Sequence, residues 1–119
     1  MPGPLDGFRV IDMTSVISGP LATMIMADQG AEVIKVENPN GGDFTRAMSN
    51  RQGGFSASFL NNNRSKRSVA VDTKDARGME LVKKLLEGAD VFIQNMRPGV
   101  IERIGLGEDV VRQIAPEII

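Results

Sequence analysis

The chain has 119 residues, 41% of them hydrophobic, with 14 basic and 15 acidic side chains and a net charge of −1. One domain with its own core fits that length, and the charge balance makes no electrostatic case for a nucleic-acid partner. Cysteine and histidine are both absent, which excludes disulfides, zinc-thiolate sites and cysteine nucleophiles and leaves acid–base or nucleophilic work to carboxylates, lysine or Ser/Thr.

No apolar run reaches membrane-spanning length. The opening Pro2-Gly-Pro-Leu-Asp6 lacks the basic-then-apolar order of a signal peptide, so a cytoplasmic protein with no membrane partner and no metal is expected. Phe8 to Met13 reads as a first strand, with Asp12 near its carboxyl end. Ser18-Gly19-Pro20 then opens a helix. Ser18 or Gly19 can cap it, and Pro20 fits the first turn, where a missing N–H costs nothing. Leu21, Ala22, Met24, Ile25, Met26 and Ala27 make this helix apolar almost all round, the pattern of a helix buried on more than one side. Gly30 stops it.

Ala31 to Glu37 is a second strand, and strand–helix–strand implies parallel pairing with a right-handed crossover. Residues 38–63 form a long Gly/Asn-rich loop containing Gly41, Gly42, Gly53 and Gly54, with one short helix around Phe55 to Leu60. Loops of this length in compact domains are usually functional or mobile. Ser68 to Asp72 is a third strand, followed by a helix from about Asp75 to Glu87. Met79, Val82 and Leu86 share one face of that helix, with Leu85 beside them. A fourth strand, Asp90 to Gln94, runs into Asn95, Arg97, Pro98 and Gly99 and then a short helical piece carrying Arg103. A helical segment covers about Glu108 to Ile114. Pro116-Glu-Ile-Ile119 reads as the first residues of a fifth buried strand, so the chain is expected to be a fragment of something longer. The fold class expected is α/β, a doubly wound, mostly parallel sheet with flanking helices.

Ligands of such sheets sit outside the carboxyl ends of the strands. Asn95, Arg97 and Arg103 fall there after the fourth strand and Lys74 after the third, and their chemistry suits phosphate. The turn Thr14 to Pro20 directs helix-start N–H groups outward, which favours phosphate. The three-glycine dinucleotide fingerprint and the Walker-type loop are both missing, so a plain capped turn is the favoured reading and NAD and ATP are disfavoured in their commonest modes. Arg64, Lys66 and Arg67 could neutralise a polyphosphate, against the commoner reading of a solvated loop balancing nearby acids. Asp12, Glu37, Asp72 and Asp90 are read as helix caps or ion-pair partners of Lys35, Lys74 or Arg97, although an acid after a second strand can also hold a ribose hydroxyl. Met13, Met24, Met26 and Met79 are packing residues.

These segments resemble, in order and spacing, the amino-terminal part of the class III CoA-transferases, the superfamily that includes formyl-CoA and carnitine CoA-transferases and α-methylacyl-CoA racemase. The resemblance is carried by Leu5-Asp-Gly-Phe-Arg-Val-Ile-Asp12, Gly19-Pro20, Asp28-Gln-Gly-Ala-Glu-Val-Ile-Lys-Val-Glu37, Gly42-Asp43 with Arg46, Asn63-Arg-Ser-Lys-Arg-Ser68, Asp72-Thr-Lys74, Asn95-Met-Arg-Pro-Gly99 and Glu102-Arg103. It implies a Rossmann-like CoA-binding domain spanning 1–119, truncated, in an enzyme that is an interlocked homodimer at full length. It implies CoA or acyl-CoA and carboxylic acids as substrates. The implied ligand contacts are Val16, Ile17, Val71, Lys74, Asn95, Met96, Arg97 and Arg103, with Val16, Ile17 and Met96 against the adenine. Some family members carry a polar side chain at the position of Ile17 and a basic one at that of Asn38. The family's nucleophile, an aspartate that forms an aspartyl-CoA thioester, lies beyond Ile119, so none of the catalytic residues is in this chain and the chain alone is expected to be inactive. The long 38–63 loop favours a transferase over a racemase or isomerase. A non-catalytic CoA- or nucleotide-binding module is a further alternative, and a response-regulator-like domain is disfavoured because Met-Thr-Ser follows Asp12 where such domains cluster acids.

Overall fold

The computed structural model describes residues 2–48 and 51–119. In chain order its elements are β1 (Arg9–Met13), α1 (Ser18–Asp28), β2 (Glu32–Glu37), a 3-10 turn (Phe44–Ala47), β3 (Arg51–Gln52), β4 (Phe55–Ser56), α2 (Ala57–Asn63), β5 (Arg67–Ala70), α3 (Ala76–Leu86), β6 (Val91–Gln94), α4 (Val100–Arg103) and α5 (Glu108–Ile114). The main sheet is parallel throughout, with strands in the order β5-β2-β1-β6. The chain builds outward from β1 through β2 to β5, then crosses back to place β6 on the other side of β1. That reversal is a topological switch point, where the carboxyl ends of the strands leave an open crevice.

Side chains alternate across a strand, and here the alternation feeds two cores. Ile11, Ile34 and Val36 pack against Val82 and Leu86 of α3 and Val111 of α5. Val10 and Val33 point the other way, onto Ala27 of α1 and Ala31. The sheet is therefore covered on both faces, as parallel sheets require. Asp75 caps α3 by accepting from Arg77 N at 2.8 Å, and that helix turns Val82 and Leu86 wholly inward. Pro116 to Ile119 takes no strand assignment, but Ile119 lies against β6, accepting from Phe92 N and donating to Asp90 O at 2.9 and 3.0 Å.

Two expectations about the first crossover need correction. The cap of α1 falls on Ile17 and uses no side chain, and Gly19, inside the first turn, is pressed against the Thr14 side chain, where an added Cβ would clash. The helix is also not buried all round: Leu21 and Ile25 are 39% and 46% exposed, while Thr23, Met24 and Ala27 face inward.

The long 38–63 segment holds the largest difference from the sequence reading. It carries the 3-10 turn, the β3–β4 hairpin and a helix over Ala57–Asn63, later than expected; Ser49 and Asn50 lie outside the described residues. It buries Asp43, Thr45, Ser56, Asn62 and Asn63. What draws these polar groups in is the carboxyl half of the α1-side core. Asp12, Lys35 and Glu37 share the parity of Val10 and Val33, so the alternation turns all three charges under α1 and the insertion. Asp12 and Lys35 are register neighbours on β1 and β2.

Each buried charge is paired, as burial demands. Asp12 Oδ1 accepts from Thr14 N and Oγ1 at 2.8 and 2.5 Å. Its Oδ2 accepts from Thr23 Oγ1 at 2.7 Å and Lys66 Nζ at 3.0 Å. Lys66 Nζ also donates to Pro20 O and Asn63 Oδ1, both at 2.9 Å. Lys35 Nζ donates to Thr14 O at 2.8 Å and lies 2.8 Å from Asp43 Oδ2. The latter contact is an ion pair without hydrogen-bond alignment, and Oδ2 has no other partner. Burial opposes ionisation of Asp12, but the Thr14 and Thr23 hydroxyls and the two lysines overcome it and hold the carboxyl below its ordinary range. Burial likewise pulls the Lys66 ammonium below its ordinary range, against the Asp12 charge.

Asp12→Ala should cost about 3–5 kcal/mol in urea unfolding, the penalty for leaving a buried ammonium without its partner. Adding Lys66→Met should recover most of that loss. A single-variant cost below about 1 kcal/mol would place the pair in the class of solvent-screened surface bridges.

Candidate functional site

The crevice at the switch point is a cleft of about 400 Å³. Its apolar wall includes Met13, Val36, Val71 and Met96, and its polar groups include Glu37, Asp43, Asp72, Lys74 and Asn95. The residues come from the turns that leave all four parallel strands at their carboxyl ends.

The β1–α1 turn forms one rim and is fixed residue by residue. Thr14 is held by Asp12 and Lys35 as described. Ser15 exchanges two hydrogen bonds with the Asn95 amide: Ser15 N donates to Oδ1 at 3.0 Å, and Nδ2 donates to Ser15 O at 2.8 Å. Asn95 thereby bridges the two strands that flank the switch point. Val16 N donates to Asp43 Oδ1 at 3.2 Å. Val16 sits at φ +74°, a left-handed conformation that costs a β-branched residue on the order of 1–3 kcal/mol and persists only where the surroundings impose it.

Asp43 is the point where the insertion meets this rim. Its Oδ1 also accepts from Thr45 N and Oγ1 at 2.9 and 2.8 Å. Burial works against its ionisation, but Lys35 and the Thr45 donors prevail and lower its pKa. Glu37, the last residue of β2, is fully engaged. Oε1 accepts from Arg46 Nη2 and Ser68 Oγ, both at 2.7 Å. Oε2 accepts from Arg46 Nε at 2.8 Å and Asp43 N at 2.9 Å. Burial pushes this carboxyl up, yet the Arg46 fork, Ser68 and Asp43 N–H bring it down to about 2. Arg46 in turn stacks on Phe59, its Cζ 3.7 Å from the ring centroid.

Four of the eight ligand residues expected from the resemblance, Val71, Lys74, Asn95 and Met96, line the cleft together. Val16 and Ile17 stand outside the lining on the rim turn, 39% and 51% exposed. Arg97 and Arg103 are exposed and also outside it. The Arg103 guanidinium folds back over Gly99, where an added Cβ would lie 3.0 Å from Nη1. Among the described residues, Lys74, Arg97 and Arg103 form no ion pair with a carboxylate.

The basic run 64–67 does not converge on a ligand. Arg64 pairs with Asp28, Arg67 with Glu32, and Lys66 is the buried partner of Asp12. Asp12, Glu37 and Asp90 have other partners than expected, whereas Asp72 meets Lys74, through its backbone N–H. Glu37 takes Arg46, Asp90 Oδ2 accepts from Arg9 N at 2.8 Å, and Asp72 Oδ1 accepts from Lys74 N at 2.9 Å. Sequence reasoning left Thr23 and Thr45 unmentioned, and it gave no partner or role to Thr14 of the candidate turn or to Asp43 and Arg46, which it used only as carriers of the resemblance. The available signal was a charge at Asp12, Lys35 and Glu37 inside strands buried on both faces, which requires partners without saying where they lie.

A doubly wound α/β domain with a polar cleft at its switch point is thus defined by fold and site together. The model of CoA-transferase family III matches residues 5–119, and the chain belongs to that family. It is 48% identical over 120 residues to the succinyl-CoA:glutarate CoA-transferase of Mus musculus, covering 98% of this chain and 27% of that protein. It is 41% identical over 120 residues to a formyl-CoA:oxalate CoA-transferase of Rhodopseudomonas palustris, covering all of this chain (100%) and 28% of that one. The crystal structure of a CAIB/BAIF family protein from Brucella suis superposes with a TM-score of 0.93 at 36% identity, over 100% of this chain and 32% of that one. The chain spans about a quarter to a third of the length of these relatives.

Gly42 is at φ +68°, and a Cβ there would stand 2.5 Å from Glu37 Oε2 and 2.9 Å from Arg46 Nε. Gly42→Ala should therefore destabilise the chain by about 1–3 kcal/mol, seen as a lower urea midpoint. Glu37 supports a second expectation. Its folded carboxyl titrates below the unfolded one, so its contribution to stability is complete above about pH 4.5 and is lost as pH falls toward about 2. Glu37→Gln should flatten stability across that window, in unfolding curves taken from pH 5 downward.

Proposed function

We propose that this chain supplies the amino-terminal part of the CoA-binding domain of an enzyme that moves CoA between two carboxylic acids. The observation that carries the reading is the gathering of Val71, Lys74, Asn95 and Met96 around the switch-point cleft. In such folds this is where nucleotides bind. Lys74, Arg97 and Arg103 would meet the phosphates with guanidinium or ammonium donors that no carboxylate of the described chain occupies. Val16, Ile17 and Met96 would lie against the adenine faces. Asn95 fits as a support for the turn that presents Val16 and Ile17, since its amide already bonds Ser15.

The chemistry belongs to a carboxylate outside these 119 residues. Such a carboxylate attacks the donor thioester carbonyl, forming a mixed anhydride and releasing CoA as thiolate. The thiolate attacks the enzyme's acyl carbon, which frees the donor acid and leaves an enzyme–CoA thioester. The acceptor acid then runs the same two steps in reverse and leaves as its CoA ester. The acids that are present support this placement. Asp12, Glu37 and Asp43 are buried and paired with cations, and none is presented as a nucleophile. This chain alone should therefore bind without turning over. The reading carries with it an interlocked homodimer and a cytoplasmic location; exposed Leu21, Ile25, Phe55 and Leu60 suit a surface that another subunit covers. Relatives named for glutarate and oxalate suggest small dicarboxylic acids as acceptors.

Calorimetric titration of CoA tests the reading. Saturable binding is expected, weakened about ten-fold or more by Lys74→Ala, the equivalent of one charge-assisted hydrogen bond. Equal affinity for both proteins would remove Lys74 from the site, and a folded chain without measurable affinity would overturn the reading.

A further inference from the structure

We infer that Arg46 determines nucleotide specificity by silencing Glu37, so that the cleft favours a ribose that bears a phosphate over one with free hydroxyls. The inference rests on the CoA reading above and goes beyond it in naming what the site discriminates.

Glu37 ends β2 at the carboxyl edge and lines the cleft. In doubly wound folds an acid at this position accepts the ribose hydroxyls of dinucleotides. A carboxylate has about four acceptor sites. Glu37 has all of them filled, two by the Arg46 fork, one by Ser68 and one by Asp43 N–H. It has no acceptor left for a hydroxyl, and its charge is matched by a bidentate guanidinium, the strongest partner a carboxylate finds among side chains.

Arg46 is built for this task by the insertion. The Asp43-capped 3-10 turn carries it, Phe59 backs its guanidinium at 3.7 Å, and Gly42 clears the space in which the fork reaches Glu37. Arg46 itself is not part of the cleft lining, so it acts through Glu37. Freed of Arg46, Glu37 would present a carboxylate to the ribose. It would accept hydroxyls and repel a phosphate, and the repulsion would be strong because the side chain is only 5% exposed and weakly screened.

CoA carries a 3′-phosphate and 3′-dephospho-CoA a hydroxyl, so the pair isolates the effect. Calorimetry with both ligands on the wild-type chain, Arg46→Met and the double variant Glu37→Gln/Arg46→Met gives the test. The wild type should prefer CoA. Arg46→Met should cut that preference about ten-fold, the size of one poorly screened like-charge contact. The double variant, with no carboxylate to unmask, should regain it. Should Arg46→Met fail to fold, Arg46→Gln, which drops the charge but keeps a donor, carries the same expectation. Parallel weakening of both ligands at constant ratio would make Arg46 merely structural and overturn the inference. So would a wild type that binds the two equally, which leaves the CoA reading standing. Binding of neither ligand by the folded wild type would overturn that reading and this inference with it.

Discussion

Everything at the working edge of this domain hangs on charges buried inside its sheet. Asp12 and Lys35, neighbours on the two central strands, face the same side, and neither satisfies the other. Each finds its partner in the connection between β2 and β5: Lys66 for Asp12 and Asp43 for Lys35. A buried ion pair adds little net stability over a well-packed apolar core, but removing one member is costly. The two pairs seat the connection on the sheet at Asp43 and Lys66.

That seating reaches the cleft through short polar links. Asp43 gives one oxygen to Lys35's side of the network and the other to Val16 N and Thr45. Lys35 takes Thr14 O, and Asn95 takes both backbone groups of Ser15. The β1–α1 turn is thereby fixed at three consecutive residues, and Val16 holds a backbone conformation it would not adopt alone. Rigid presentation of this kind lowers the entropic cost of binding a ligand.

The electrostatics of the site divide by depth. The acids beneath the cleft are neutralised from below by Lys35, Arg46 and Lys66. The cations around it, Lys74, Arg97 and Arg103, are exposed and form no ion pair among the described residues. The carboxyl edge thus carries these cations beside Asp72, a cleft-lining carboxylate that accepts from Lys74 N.

The apolar runs at 8–13 and 31–37, the helix stop at Gly30 and the helical spacing of Met79, Val82 and Leu86 are local signals, and with the strand–helix–strand order they were enough to determine the parallel α/β architecture. The grouping of Lys74 and Asn95 at one edge was legible too, because parallel strands bring all their carboxyl ends to one side. Partner choice was not legible. Arg64, Lys66 and Arg67 look equivalent in a row, yet one is buried under Asp12 and two sit in surface pairs, because their fates depend on which way each side chain leaves a turn and an edge strand. Glu37 looks like a ribose acid until Arg46 is seen across it. Hydrophobic periodicity acts over a few residues and is written in the sequence; the pairing of buried charges acts across 8 to 54 residues of chain and is decided only when the tertiary structure closes.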